Sequence, residues 1–265
     1  FGAFKKTGFS LPEETLIAAK KADAILFGAV TTPPNIDGYK SAIITLRKKL
    51  NLFANVRPIC PLPIVGERTD IDFVIVRENT EDLYIGEEEA IEDGFVAKRV
   101  ITRTASERII RFAFELAKKQ NRKLVTAVHK ANVLRKTDGL FLDIAGNIAK
   151  EYPKIIFEGM LVDSAAMRII KSPDHFQILV TTNMFGDILS DEAAALVGGL
   201  GVVPSANIGN DRALFEPVHG SAPKYAGKNI ANPLASFRSA EMMLEFLGET
   251  KVAGKLRLSF KNVLQ

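Results

Sequence analysis

Residues 12–30, PEETLIAAKKADAILFGAV, open with a proline and two acids, continue at helical spacing and close on an apolar run that stops at Gly28. Proline suits the first helical position and acids suit the positive end of a helix, so the pattern predicts a helix followed by a strand. Pro, Asn and Gly make 32–39 a loop, and helical spacing resumes over 40–50. The β-branched run 72–78 reads as a strand, and 105–120 reads as an amphipathic helix opened by Ser106. Strands at 123–130, 155–162 and 176–183 then alternate with helices at 138–151, 164–171 and from 186 onward. Gly and Pro thicken over 198–233, predicting extended loops before a closing helix at 239–248. Nearly continuous apolar strands that alternate with helices imply sheets covered on both faces, hence an α/β fold.

Composition narrows the picture. With 265 residues and 47% hydrophobic content, the chain can bury one large core or two modest ones. No run approaches the roughly 18–20 apolar residues of a membrane-spanning helix, and no signal-peptide pattern opens the chain, so a cytoplasmic protein is expected. The single cysteine, Cys60, excludes an intrachain disulfide and a thiolate metal cluster. The net charge of +4 is dispersed, and no basic stripe is interleaved with aromatics. That balance favours a small anionic ligand over nucleic acid. The chain starts at Phe1, without Met and inside an amphipathic stretch, which reads as a fragment or the ordered part of a longer chain.

Several side chains carry chemistry. In GDILSDEAAALVGGLG, Asp187 and Asp191 stand four residues apart, on one face of a helix that follows an apolar strand. Adjacent carboxylates with no Cys or His nearby suit Mg²⁺ or Mn²⁺, with Asp163 as a candidate third oxygen ligand. The plainer reading has Asp187 capping the helix and Asp191 solvated. Arg47, Arg57 and Arg77 lie near predicted element ends, and three guanidinium forks brought together would grip a ligand with two or more carboxylates. Lys130 beside a divalent cation would suit a general base, and Tyr84 could return a proton. The small-residue loop in FEPVHGSAPKYAG, residues 215–227, offers backbone amides to a phosphate, with Lys224 beside it. His129 and His175 have no partner at metal-ligand spacing and read as structural. The dinucleotide signature GxGxxG does not occur.

TLRKKLNLFANVRP, VIVRENTEDLY, VHKANV, NMFGDILSDEAA, GVVPSANIG, LFEPVHGSAPKYAGKNIANP and SAEMMLEFLG, in that order along residues 10–250, closely resemble the β-decarboxylating dehydrogenases of isocitrate, homoisocitrate and 3-isopropylmalate. The resemblance implies an isopropylmalate-dehydrogenase-like, doubly wound α/β fold with two domains and a cleft between them. A large cofactor-binding domain would comprise 1–52 and 188–265, and a central substrate and dimerisation domain 53–187. It further implies that Arg47, Arg57 and Arg77 hold the malate carboxylates. Asp187 and Asp191 would bind Mg²⁺ or Mn²⁺ with Asp163 of a second copy, and Tyr84 and Lys130 would form the acid/base pair, with Lys130 also lent by the second copy. Glu216, His219, Gly220, Ser221, Ala222 and Asn232 fall in the cofactor segment. The implied partners are a di- or tricarboxylate substrate and the chain itself, as a homodimer or dimer of dimers, with no nucleic acid or membrane. The family's opening strand with its GDGIGPE-like loop and its final segment have no counterpart here.

Lys224 with Tyr225 resembles NADP users and Ala231 resembles NAD users, so NADP is favoured over NAD. Ser41 matches a serine that touches the extra carboxylate of isocitrate, whereas Ile43 and Ile44 offer an apolar wall that would suit an isopropyl group. KSAIITLRKKLNLFANVRP and SFRSAEMMLEF look most like homoisocitrate dehydrogenases. Homoisocitrate or isocitrate therefore ranks first as substrate and 3-isopropylmalate second. A non-catalytic or truncated subunit of the family is the remaining alternative.

Overall fold

The computed structural model describes residues 2–33, 36, 39–62 and 68–265. Pro34, Asn35, Asp37 and Gly38 of the expected 32–39 loop lie outside them. The chain forms two compact units, 1–53 with 199–265 and 54–198.

The first unit begins with helices α1 (Gly2–Thr7) and α2 (Glu13–Lys21), strand β1 (Ala24–Leu26) and helix α3 (Ala42–Lys49). In the second unit, β2 (Ala54–Ile59) and β3 (Phe73–Glu78) precede a hairpin of β4 (Glu88–Ile91) and β5 (Gly94–Ala97). There follow α4 (Arg103–Lys119), β6 (Leu124–His129), α5 (Thr137–Ala149) and β7 (Ile156–Leu161). The unit closes with α6 (Val162–Lys171), β8 (Ile178–Thr181) and α7 (Asn183–Ala195). Returning to the first unit, the chain adds β9 (Pro204–Ile208), β10 (Ala213–Pro217), α8 (Leu234–Phe246) and α9 (Thr250–Leu264).

Within the second unit the strands run β2-β3-β8-β6-β7, with β2 antiparallel to β3 and the rest parallel. β3 and β8 are buried at every position, as the apolar runs over 73–76 and 178–180 require, with Arg77, Glu78 and Thr181 buried at their carboxyl ends. α4 explains its own burial: Ala105, Ile109, Ala113 and Ala117, spaced by four, join Ile110 and Phe114 in a stripe laid on α5, β3 and β8. Sealing a side chain such as Phe114, at 0% exposure, contributes about 1.5–3 kcal/mol. This helix starts earlier than its sequence suggests. Thr102 is the N-cap, accepting from Ala105 N, and Ser106 is buried one turn inside.

In the first unit β1 pairs parallel with β10, and β10 pairs antiparallel with β9. α8 covers these strands and α9 packs on α8. Stretch 198–233, expected as loops, thus contains two strands, short enough that their flanking Gly and Pro residues hid them. The expected boundary between 187 and 188 would cut α7, yet that helix is continuous and the unit break comes after Gly198. No described helix is long and apolar enough to cross a membrane.

Candidate active site

Four elements of the second unit converge on one carboxylate. β2 brings Arg57 and β3 brings Arg77, both nearly fully buried. The 3₁₀ turn Leu83–Ile85 carries Tyr84, and α7 presents Asp187 and Asp191 one turn apart. Asp187 Oδ1 accepts from Arg77 Nη1 and, at 3.3 Å, from Arg57 Nη2, while its Oδ2 accepts from the Tyr84 hydroxyl at 2.6 Å. Arg57 Nη1 lies 3.3 Å from Asp191 Oδ1.

Neither guanidinium is free to swing. Arg57 Nε donates to Asn55 Oδ1 and Arg77 Nε to Asn183 Oδ1, each at 2.8 Å. The Arg77 fork also lies over the Tyr84 ring, 4.9 Å from its centroid. Gly186 makes room for this: a Cβ there would come within 2.6 Å of Arg77 Cγ and 2.7 Å of Arg77 Cβ.

Burial pushes the Tyr84 phenol above its ordinary value, with Arg77 pulling it back and Asp187 raising it further. Tyr84 therefore holds its proton at neutral pH, as its bond to Asp187 requires. Burial also lifts the Asp191 carboxyl, opposed by Arg57 and reinforced by Asp187. A carboxylate whose anion is disfavoured in this way, beside a second one and with only oxygen donors, fits a hard divalent cation. Asp187 and Asp191 would hold such an ion. Asp163 does not complete the set within one chain: among the described residues no three His, Cys, Asp or Glu side chains could hold a metal together. It lies in the first turn of α6 and accepts from Lys130 Nζ at 2.7 Å, which lowers its carboxyl.

In the first unit, a cavity of about 610 Å³ is lined by Ala29, Gly201, His219, Gly220, Ser221, Ala222, Tyr225, Ala226, Ile230, Ala231 and Asn232. His219 Nε2 is buried there without a hydrogen-bond partner, an orphaned group suited to a polar ligand. Ser221 N and Oγ both bond Thr31 Oγ1, and Ala222 has a φ of 46°, so the loop is held in an unusual backbone shape. Lys224 stands exposed in the 3₁₀ turn Pro223–Tyr225.

Glu216 behaves differently from its neighbours in the sequence. Its Oε1 accepts from Arg47 Nη2 and from Asn207 Nδ2, both at 2.8 Å, so it steers Arg47. Ser41 is buried at the N-terminus of α3, and Ile43 packs against the core of Leu16, Leu46, Leu52 and Leu214.

Asn55, Asn183 and Gly186 were not singled out from the sequence. Gly186 did carry a signal, since a glycine inside a helical pattern is costly and implies close packing.

The profile of the family described as isocitrate/isopropylmalate dehydrogenase matches residues 1–265. A homoisocitrate dehydrogenase of Methanocaldococcus jannaschii is 57% identical, the match covering 98% of this chain and 78% of that protein. A 3-isopropylmalate dehydrogenase of Methanothermobacter thermautotrophicus is 54% identical, over 98% and 78%. The crystal structure of an isocitrate dehydrogenase from Methylococcus capsulatus superposes with a TM-score of 0.93 at 47% identity, covering 98% of this chain and 80% of that one.

Proposed function

Because the chain belongs to the isocitrate/isopropylmalate dehydrogenase family, oxidoreductases acting on CH–OH groups, we propose that it oxidatively decarboxylates a 3-substituted malate, homoisocitrate or isocitrate first, with Mg²⁺ or Mn²⁺ and NADP. The observation that carries this reading is the convergence of Arg57, Arg77 and Tyr84 on Asp187, with Asp191 one turn away. Two anchored guanidinium forks suit carboxylates, and a protonated phenol beside them suits a proton donor.

In the proposed roles, Arg57 and Arg77 exchange their aspartate partners for the substrate's carboxylates, and Arg47, steered by Glu216, adds a third fork. Ser41 reads the extra carboxylate. Lys130, lent by a second copy, takes the C2 hydroxyl proton, and Tyr84 delivers a proton to C3 once CO₂ has left. Asp187 and Asp191, with the partner's Asp163, would hold the divalent ion, which would supply Lewis-acid charge, and a bound nicotinamide would supply the hydride acceptor. His219, Gly220, Ser221, Ala222, Tyr225 and Asn232 hold the nucleotide in the unit formed by 1–53 and 199–265.

Two observations support self-association. The hairpin β4–β5 is exposed at every residue and pairs with no other described strand, and Met167, Ile170 and Ile188 expose apolar surface on α6 and α7.

Overall identity does not choose the substrate, since relatives at 57% and 54% act on different malates. Ile43 packs inward on its own core, which leaves less apolar wall for an isopropyl group and supports the tricarboxylates. Ile44 is the residue that favours 3-isopropylmalate. A turnover panel of isocitrate, homoisocitrate and 3-isopropylmalate with each nicotinamide cofactor decides. A kcat/KM led by 3-isopropylmalate would reverse the ranking, and no turnover of any would remove the catalytic reading.

Lys224→Asp is expected to shift the NADP-to-NAD ratio of kcat/KM toward NAD by about tenfold or more, the worth of one charge-assisted contact to a 2′-phosphate. An unchanged ratio would make Lys224 a plain surface charge.

A further inference from the structure

Arg99 is not part of the chemistry assigned above, yet it is the hub of a buried network in the second unit. Its side chain is 13% exposed, and it lies between Asp82 and Asp138, both fully buried. Arg99 Nε donates to Asp82 Oδ1 at 2.6 Å and Nη1 donates to Asp138 Oδ1. Nη1 also reaches Thr137 Oγ1 at 3.1 Å and Nη2 reaches Thr182 Oγ1 at 3.0 Å. The guanidinium stands 5.2 Å from the centroid of the Phe185 ring.

Through its partners it reaches three segments. Asp82 Oδ1 accepts from Leu83 N at 3.0 Å, fixing the turn that carries Tyr84, and its Oδ2 accepts from Met184 N at 2.9 Å, fixing the start of the helix that carries Asp187. Thr182 is the residue preceding that helix. Asp138 Oδ2 accepts from Lys130 N at 2.6 Å. Asp82 itself has φ 72° and ψ −150°, a backbone shape that non-glycine residues hold only when their surroundings impose it.

We propose that Arg99 is a positioning residue for the reaction, a clamp that sets the segments presenting Tyr84 and Asp187 to this chain's own site and the segment presenting Lys130 to the site of the second copy. The proposal rests on the roles given to those residues above. One planar fork meets two carboxylates and two hydroxyls; an ammonium has no such fork and cannot reproduce the arrangement.

The test is Arg99→Lys, which keeps the charge and removes the fork. Measured with homoisocitrate, Mg²⁺ and NADP, kcat is expected to fall about thirtyfold, since small misplacements of catalytic groups are costly. KM is expected to stay within about threefold, because Arg57 and Arg77 stand on β2 and β3, buried strands whose pairing Arg99 does not hold. Amide hydrogen exchange at Leu83, Met184 and Lys130 is expected to quicken at least about tenfold relative to amides of α4. An unchanged kcat overturns the proposal, as does a loss that follows only the unfolded fraction while those three amides keep their protection. If the wild-type chain turns over no malate, the functional reading falls, and exchange at the three amides still decides whether Arg99 sets these segments. Should Arg99→Lys fail to fold, Asp138→Asn, which weakens the pull on Arg99 but leaves an acceptor for Lys130 N, is judged by the same kcat and amide outcomes.

Discussion

Asp187→Asn is expected to lower kcat/KM by about four orders of magnitude at millimolar Mg²⁺, equivalent to roughly 5–6 kcal/mol of transition-state stabilisation. The change removes one anionic oxygen donor from the proposed ion site and leaves Arg77, at 2% exposure, without its carboxylate. The fold should survive. Asp187 is 37% exposed, so solvent moderates the loss to about 1–2 kcal/mol, and Arg57 keeps Asp191. Circular dichroism should show native helix content. Added Mn²⁺ should raise the thermal midpoint of the wild type but not of the variant. Turnover within tenfold of wild type would remove Asp187 from the metal site and the mechanism with it.

Gly186→Ala probes the same centre by volume alone. One methyl group would press on the Cβ and Cγ of Arg77 at 2.6–2.7 Å, and Arg77 cannot retreat because Asn183 and Asp187 hold its fork and the protein encloses its stem. The expected results are a stability loss of about 1–3 kcal/mol from overpacking and a fall in kcat/KM of about a hundredfold from the displaced fork. Combining thermal melts with kinetics separates the two effects. A variant with wild-type values in both would mean that helix and strand part easily here, and that the close approach has no bearing on the site.

The sequence showed the α/β alternation best where burial is complete. β3 and β8 open with three or four apolar residues because both their faces are covered, so those runs declare them. β2 is nearly as well covered yet was unreadable: Asn55 and Arg57 interrupt its apolar pattern, and Arg57 turns its fork to the carboxylate centre. The hairpin at 88–97 has no buried face, so no alternation marks it.

For the site, helical periodicity alone put Asp187 and Asp191 on one face. Their partners were not readable from spacing, since Arg57, Arg77 and Tyr84 meet Asp187 from 103–130 positions away. The link between Glu216 and Arg47 spans 169 positions, and only the folded unit reveals it. Residue types and local motifs announced the chemistry; long-range pairing arranged it.

The ribbon at 88–97 finally ties this fold to concentration. Two short strands without a covered face gain little from their own contacts, and Phe95, paired with Ala90 near the turn, stands 79% exposed. If a second copy covers that ribbon, mass action makes part of each subunit's order a property of the pair, and progressive dilution loosens the ribbon before the main sheet. The same uncovered strand edges on a lone subunit would then be the first place for unwanted pairing with other chains.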